Sequence, residues 1–469
     1  MGVIQNYLSK RGFSPLGDSW YAYIQQFKEW YCGYVEKFHK YTVYNGINSV
    51  TVNRYRLNMA KTVCEDHANL MLNDKVTISC SDSKWLAEKL QASDFWVRGN
   101  NLVELAFALG TGAFVEYRGQ DGTAVIDYIR GDMIFPLAWE NGSITECAFG
   151  SVKRSGKHDV YYIQIHSREN GKYTIDNILI DKDTGKELTL PEDMESHVDT
   201  GSEIPFFQII RPNIINNLDL DCPMGISIFA NAIDQIKGCD LVYDSYMNEF
   251  TLGRKRLIVP LSMARIMMEQ RSDEPSGGRD GAAPVTTFSP IFDPNDTVFY
   301  AYQAAEGSEQ KLTDINMEIR SDEHTAGINE ALDLLSLKCG LGTGRYRFEN
   351  GVVKTATEVI SEDSDLFRNL KKNEKILESA IIGLVKAMAA IEGKQIDEIT
   401  VGFDDSIIED DRANIDKNVV LVGAGLKSKL KAIMDTQHID EDSAVAELAR
   451  IDQENGVTDV DFSSFGGDG

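Results

Sequence analysis

The chain has 469 residues, with 47 Lys and Arg against 73 Asp and Glu, which gives a formal charge of −26. Hydrophobic residues make up 42% and charged residues 26%, so the chain can bury a core and is not a disordered acidic polymer. The charge excludes a protein that grips nucleic acid over most of its surface, because duplex binding places cations against phosphates. The length predicts about two to four compact units.

The charge is unevenly distributed along the chain. Residues 1–100 contain 12 basic and 9 acidic residues, a net charge of +3. Residues 392–469 contain 7 basic and 19 acidic residues, a net charge of −12. For this acidic end, composition alone favours a solvated, solubilising face over a wall along which DNA passes.

Several classes of protein lack support in the sequence motifs. The seven cysteines form no CxxC pair and the histidines no HExxH pair, so we expect a reduced compartment with neither disulfides nor a metal site. Gly351–Thr355 lacks the inner glycine of a P-loop. Gly110–Gly112 follows a helix and precedes a strand, the reverse of a dinucleotide fingerprint. Without a long apolar run or leader peptide, we expect a soluble intracellular protein with no membrane span and no cofactor.

Aromatic residues are concentrated between Trp20 and Tyr55, where spacings of three and four predict an aromatic stripe on a helix. The stripe consists of Tyr23, Phe27, Trp30, Tyr31 and Tyr34. Such rings can stack on bases, but a stripe of helical period is more typical of core packing or a subunit contact, which we prefer. A second helix is predicted over Arg54–Leu72.

Residues 76–205 combine helix and strand. Asn100–Leu109 has the spacing of a helix and is followed by a predicted strand at Ala113–Tyr117. Three later stretches alternate in polarity and end in Gly or Asp turns, as antiparallel strands do. These strands are Ala124–Ile129, Tyr161–His166 and Tyr173–Asp181.

Two long acidic helices are predicted on either side of a turn-rich unit. The first covers 226–252 and the second 312–338. Between them lie the basic triplet Arg254–Arg256, the strand-like run Leu257–Pro260, and the stretch 272–290, which is rich in Gly, Pro, Ser and Asp. The simplest geometry is a pair of helices that leaves a body and returns to it.

Four glycines and two arginines within Gly340–Gly351 predict a mobile, positively charged loop. A very long helix is predicted next, over Lys354–Ile391, where apolar residues recur at heptad-like spacing. The acidic end then predicts a strand at Ile399–Phe403 and three helices. These helices are Asp410–Val422, Ser428–Met434 and Asp442–Glu454.

Four groups of residues, together with the order of these parts, point to one family. They are Leu109–Phe114, Asp132–Trp139 with Asn141-Gly142, Lys354–Val359 with Asp365–Phe367, and Phe403–Ile408 with Asp411. The order of body, helix, insertion, helix, Gly/Arg loop, long helix and acidic end resembles the portal proteins of tailed bacteriophages. The likeness is greatest to the portal family of long-tailed phages of Gram-positive bacteria. The resemblance covers nearly the whole chain. No single motif is decisive, and the order of all the motifs makes the match specific.

The resemblance implies an α+β, mainly helical portal fold with no enzymatic activity and no cofactor. It also implies a division of the chain into named parts. These are a wing over 1–225, a stem helix over 226–252, a small α/β clip over 253–311, a second stem helix over 312–338, a tunnel loop over 339–350, a long wing helix over 351–391, and a crown with an acidic tail over 392–469.

The resemblance further implies which residues line a DNA channel or dock partners. The candidate acids of the channel lumen are Asp234, Asp240, Asp244, Asp314, Glu318 and Asp322. The candidate tunnel-loop residues are Gly340, Gly342, Thr343, Gly344, Arg345, Tyr346, Arg347 and Asn350. The candidate docking residues of the clip are Arg254, Lys255 and Arg256. For the stem acids and the loop arginines, salt bridges between subunits are an open alternative.

The implied assembly is a ring, with twelve subunits in this family, around a channel for packaging and ejecting double-stranded DNA at one capsid vertex. The implied partners are DNA, the terminase large subunit, a head-tail adaptor, and the major capsid and scaffolding proteins. The implied location is the virion, and the host cytoplasm during assembly. Two alternatives stay open: a self-assembling capsid or scaffold protein without a channel and, with less support because a Walker A motif is lacking, a packaging ATPase.

Overall fold

The structure is a computed structural model. It describes residues 2–44, 48–155, 158–192, 194–253, 256–260, 299–302, 313–315, 318–348, 356–403, 411–437 and 441–454. The helices are α1 Gly2–Lys10, α2 Asp18–Tyr31, α3 Glu36–His39, α4 Met59–Met71, α5 Ser83–Ala92, α6 Phe95–Leu109, α7 Ile233–Leu252, α8 Ser321–Lys338, α9 Ala356–Ile391, α10 Asp411–Gly423, α11 Lys429–Gln437 and α12 Glu441–Glu454. The strands are β1 Lys40–Tyr44, β2 Ser49–Asn53, β3 Thr77–Ser79, β4 Gly112–Arg118, β5 Ala124–Arg130, β6 Ile134–Glu140, β7 Ser143–Ser155, β8 His158–Glu169, β9 Lys172–Asp181, β10 Glu187–Leu188, β11 His197–Asp199, β12 Phe207–Ile210, β13 Arg256–Pro260, β14 Phe299–Tyr302, β15 Thr313–Ile315 and β16 Thr400–Gly402.

Two antiparallel sheets form the β part of the wing, and they include the strands predicted from alternation. The larger sheet has the order β10-β9-β8-β7-β6, with β11 also paired to β9, and the smaller has the order β12-β4-β5. Aromatic rings join the two sheets: Phe207 of β12 lies 5.2 Å from Phe149 and 5.5 Å from His166, measured between ring centroids. The mixed body expected from the sequence is confirmed.

The long helix α9 packs on β12, β4 and β5 and closes the wing core. It has 36 residues, about 54 Å at 1.5 Å per residue. The predicted seam is confirmed where the side chains are described, because all six of its members there are at most 4% exposed. They are Leu366, Leu370, Leu377, Ile381, Leu384 and Met388.

The aromatic stripe near the N-terminus is only partly as predicted. Helix α2 ends at Tyr31, and Tyr23 and Tyr34 are 38% and 41% exposed. The face of α2 that is buried is rotated around the helix axis relative to the predicted stripe. Its members are Trp20, Tyr21, Ile24, Phe27 and Trp30. The rest of the aromatic region forms the hairpin β1-β2, and α4 begins at Met59 rather than at Arg54.

The junction of wing and stem depends on two glycines. Gly110 ends α6 with a φ of 88°, and a Cβ placed there would lie 2.4 Å from the carbonyl oxygen of Gly225. A Cβ on Gly225 would lie 2.3 Å from the carbonyl oxygen of Gly110. The amide of Gly225 also donates to the hydroxyl of Thr111 at 3.0 Å. Only residues without side chains allow the chain that enters the stem to approach the end of α6 so closely.

The stem helices are shorter than predicted. The first is α7, which has 20 residues and starts at Ile233 after a short 3₁₀ turn at Ala230–Ala232. The second is α8, which starts at Ser321 rather than at residue 312. The two helices pack against each other. Arg320 joins their ends with two hydrogen bonds to Glu249, at 2.9 and 3.1 Å.

The described part of the clip is a three-stranded sheet. Strand β13 pairs in parallel with β14 and antiparallel with β15, so the predicted strand at Leu257–Pro260 is present. Strand β15 extends this sheet to Ile315, beyond the expected clip boundary at 311. The turn-rich stretch 272–290 lies outside the described residues.

The C-terminal part begins within the wing. The predicted strand at 399–403 is present as β16, but it pairs with β3 of the wing, with Val401 opposite Ile78. Residues Thr400–Gly402 therefore pack with the β3 segment rather than with the helices that follow them. The expected crown contains α10, α11 and α12, which correspond to the three predicted helices. Over the described ranges, every helix is too short or too polar to cross a bilayer.

Glu116 provides a test of the wing core. Its carboxyl group is buried with neither oxygen hydrogen-bonded within the described part of the chain, and this burial raises its pKa well above the usual range. In the unfolded chain the group ionises near pH 4.3, so above that pH folding must bind a proton. We expect Glu116→Gln to raise the melting temperature at pH 8 more than at pH 5.

The control is Glu88→Gln, which changes an exposed glutamate on α5. Melting curves of both variants and the unchanged protein at the two pH values give the comparison. An equal shift at both pH values for Glu116→Gln would contradict a neutral buried carboxyl group.

Candidate functional site

The tunnel loop is docked on the wing rather than extended. Helix α8 ends at Lys338, and Gly340 reverses the chain with a φ of 79°. The amide of Leu341 then donates to the carbonyl of Ser336 at 3.0 Å, and the Leu341 side chain is only 2% exposed. The side chain of Asn369, on α9, donates to the carbonyl of Gly340 at 3.2 Å. The start of the loop is therefore fixed to two helices.

Arg345 forms a bidentate pair with Asp66 of α4. Its Nε and Nη2 atoms lie 2.8 and 2.6 Å from the two carboxylate oxygens. The hydroxyl of Tyr346 donates to the same carboxylate at 3.2 Å. Burial raises the pKa of Tyr346, and the neighbouring Asp66 charge acts in the same direction, so its hydroxyl stays protonated and can donate.

Arg347 is paired with Asp333 of α8, but both of its contacting nitrogens, Nε and Nη2, meet the same oxygen, Oδ2. Its Nε lies 2.6 Å from Oδ2, while Oδ1 accepts the backbone amide of Gly344 at 3.0 Å. Each arginine thus has a carboxylate partner in its own chain, whereas the salt bridges left open from the sequence were between subunits. The remaining loop residues differ in burial: Gly342 is buried, whereas Thr343 and Phe348 are exposed. Asn350 lies outside the described residues.

Two of the candidate lumen acids are buried inside the chain. Asp240 and Asp244, on α7, are 3% and 4% exposed. Asp240 accepts hydrogen bonds from the amide of Leu57 at 2.8 Å and from Nε2 of His39 at 3.1 Å. Asp244 accepts the amide of Tyr55 at 3.0 Å. These carboxylates hold the segment before α4 against the stem, so the expectation that they face a lumen is wrong.

The other stem acids have different settings. Asp234 is exposed and pairs with Lys237 at 2.9 Å, and Asp322 is exposed in the first turn of α8. Glu318 is exposed just before that helix. Asp314 is not on a helix: it lies in β15, opposite Leu257 of β13. Its prediction as a helical acid is therefore wrong, because the helix begins seven residues later.

The docking triplet is described only at its last residue. Arg254 and Lys255 lie outside the described residues. Arg256 opens β13 and is paired with Ile315. Within the ranges described, no group of His, Cys, Asp and Glu has an arrangement that could hold a metal ion.

Sequence reasoning did not identify Asp66, Asp333 and His39 as the partners of the candidate residues. Asp66 lies 279 residues from Arg345, so no local spacing connects them. His39 and Asp240 are 201 residues apart, which hides their pairing in the same way. Asp333 was visible as an acid on the second predicted stem helix, but its contact with the loop depends on the turn at Gly340.

Comparison with known families decides what this arrangement is. The family model described as "Phage portal protein, SPP1 Gp6-like" matches residues 18–458. The chain belongs to this phage portal family. No curated protein matches the sequence of this portal protein.

Two solved structures are similar to this portal protein. One is the neck of a native gene transfer agent (GTA) particle, computed with C12 symmetry, at 12% identity and a TM-score of 0.42. The other is the virion of a native GTA particle, at 11% identity and a TM-score of 0.42. In both cases the match covers 80% of this chain and 89% of the other.

The buried stem carboxylate provides a test. We expect Asp240→Ala to lower the free energy of unfolding by about 3 kcal/mol, because the Leu57 amide and the His39 ring lose a buried acceptor. Asp234→Ala, a change of the same kind six positions earlier on an exposed face, should shift it by less than about 0.5 kcal/mol. Urea unfolding measures both, and equal effects would contradict the different roles of the two acids.

Proposed function

We propose that this portal protein forms a ring around a channel through which double-stranded DNA is packaged and later ejected. The family match over residues 18–458 carries the proposal. A packaging ATPase or a coat protein without a channel would belong to a different family, and the exclusion of a P-loop agrees with a structural role. The protein is then part of the virion and is made and assembled in the host cytoplasm.

The exposed stem acids suit the wall of such a channel. Asp234, Glu318 and Asp322 are all exposed on or beside the helix pair α7 and α8. Repeated around a ring, they would give a negative wall to which phosphates do not adhere, and sliding needs such a wall. In this proposal Asp240 and Asp244 stabilise the wing–stem contact and take no part in the wall.

The clip is proposed to dock the terminase large subunit during packaging and a head-tail adaptor afterwards. Its sheet lies between the two stem helices in the sequence, as expected of an insertion at the end of the helix pair. Arg256 begins this sheet, directly after Arg254 and Lys255. The wing and crown are proposed to meet the major capsid and scaffolding proteins.

A ring needs surfaces that neighbouring subunits cover, and the loop between β12 and α7 offers one. Ile215 and Leu220 are 76% and 79% exposed on this loop. The loop is nevertheless ordered by side-chain hydrogen bonds: Asn216 caps the amides of Leu218 and Asp219, and Asn217 pairs with Asn231. Two apolar side chains held this far out by an ordered loop suit a surface that a neighbouring subunit covers.

We therefore expect Ile215→Asp with Leu220→Asp to prevent ring formation while each subunit stays folded. Each lost apolar contact is worth about 1.5–3 kcal/mol when fully buried, and the loss repeats at every contact of the ring. Electron micrographs of the purified protein should show annular particles with a central hole for the unchanged chain.

The control for this substitution is Ile215→Val with Leu220→Met, which should keep the rings. Intact rings of the Asp variant would contradict a contact here, and an unchanged chain without annular particles would contradict the portal proposal.

The tunnel loop is proposed to touch the DNA backbone reversibly through Arg345 and Arg347. We expect Arg345→Ala with Arg347→Ala to leave ring assembly intact and to reduce packaging or genome retention by about tenfold, since two cations per subunit are lost. Lys at both positions is the matched control because it keeps the charge but loses the bidentate geometry. Packaging assays on the two double variants measure the effect, and unchanged packaging in the Ala variant would exclude DNA contact by this loop.

A further inference from the structure

The two carboxylates that hold the tunnel loop lie on rigid helices. Asp66 is in the middle of α4, a helix that is anchored in the wing core by buried residues such as Val63 and Ala68. Asp333 is on α8, next to the fully buried Leu335 and Ser336. Both carboxylates therefore keep their positions whether or not the loop stays docked.

Beyond the start that is fixed to two helices, the backbone around the arginines has glycines at alternate positions. Gly340, Gly342 and Gly344 have φ values of 79°, 76° and 84°, so the backbone around the arginines contains three residues that adopt other conformations at little cost. The arginine side chains are 34% and 40% exposed, against 19% for Asp66 and 11% for Asp333. The ion pairs are thus open to water on the arginine side, where a competing anion can approach.

We propose that Asp66 and Asp333 are positioning residues that compete with DNA phosphates for Arg345 and Arg347. This inference rests on the proposed role of the tunnel loop in contacting DNA. A guanidinium forms the same bidentate pair with a phosphate as with a carboxylate. When DNA occupies the channel, each arginine exchanges one anionic partner for another, and the number of ion pairs stays constant.

The exchange limits how tightly the loop holds DNA. Each phosphate contact leaves a carboxylate on α4 or α8 without its arginine, and Asp333 also loses the Gly344 amide. The cost of these unpaired groups subtracts from the gain on phosphate, so the arginines release DNA readily as it advances. A loop without such competitors would adhere to the DNA.

The first experiment measures release of the loop without DNA. Limited trypsin digestion of assembled rings, with fragments identified by mass spectrometry, reports cleavage after Arg345 and Arg347. We expect Asp66→Asn to speed cleavage after Arg345 by about tenfold, because loss of a bidentate charge pair increases the open population that the protease samples. Asp66 is chosen for substitution because its side chain is more exposed than that of Asp333. Asparagine has nearly the same shape as aspartate, so the variant should fold.

The matched control is Glu65→Gln. Glu65 is the neighbouring residue on α4, its side chain is 53% exposed, and it pairs with Lys61 rather than with the loop. This variant removes one negative charge per subunit at nearly the same place and should be cleaved like the unchanged protein. Equal cleavage of Asp66→Asn and Glu65→Gln would overturn the positioning role of Asp66.

The second experiment measures competition with phosphate. Binding of a short double-stranded DNA to assembled rings is titrated at several KCl concentrations. We expect Asp66→Asn to bind several-fold more tightly than Glu65→Gln, with a steeper dependence of affinity on salt, because more counterions are released when unpaired arginines meet phosphates. A role of Asp66 in stability alone would not change the salt slope. Faster cleavage with DNA binding equal to that of Glu65→Gln would overturn the competition.

Failure of the proposed function gives a different pattern. If the arginines do not touch DNA, the double Ala variant packages normally, while trypsin still distinguishes Asp66→Asn from Glu65→Gln. If the arginines do touch DNA but Asp66 does not compete for them, the double Ala variant fails to package and Asp66→Asn binds DNA like its control, with the same salt slope.

Discussion

Carboxylates on helices hold the irregular segments of this chain in place, and the rest of the structure depends on them. Asp240 and Asp244 of α7 accept the backbone amides of Leu57 and Tyr55, which fixes the segment that leads into α4. In turn α4 carries Asp66, to which Arg345 of the tunnel loop is bound. The stem, the first wing helices and the tunnel loop are thus connected through a few acidic side chains, each with a defined hydrogen-bond partner.

This arrangement changes the meaning of the net charge of −26. Some of the acidic side chains are buried and accept hydrogen bonds from other parts of the same chain. A buried carboxylate is stable only with such donors around it. Glu392 is another example: burial acts to raise its pKa, yet hydrogen bonds from Lys89, the Ala124 amide and Trp85 lower it overall. In the proposed channel, only the exposed remainder, such as Asp234 and Asp322, would face DNA.

The sequence predicted the elements whose information is local. The seam of α9 from Leu366 to Met388 and the strands of the larger sheet follow from periods of 3.6 and 2 residues, which are readable from the chain itself. The sequence did not show which acidic side chains of the stem are buried and which are exposed. Asp234 and Asp240 both lie on α7, and only the distant contact with His39 makes one buried and the other exposed. The strand at Asp314 was missed because its conformation depends on pairing with Leu257 across a long insertion.

The pairing of β16 with β3 has a consequence for how the chain matures. Ser79 and Thr400, whose hydroxyl groups lie 2.7 Å apart across this pair, are 321 residues apart in the sequence. At about 5–20 residues per second, the ribosome needs roughly 16–64 s after making β3 before its partner strand exists. During that interval the edge of β3 stays open, so this part of the wing cannot close until Gly402 has been made. In the proposed ring, a subunit can therefore present a closed wing to its neighbours only after strand β16 has been made.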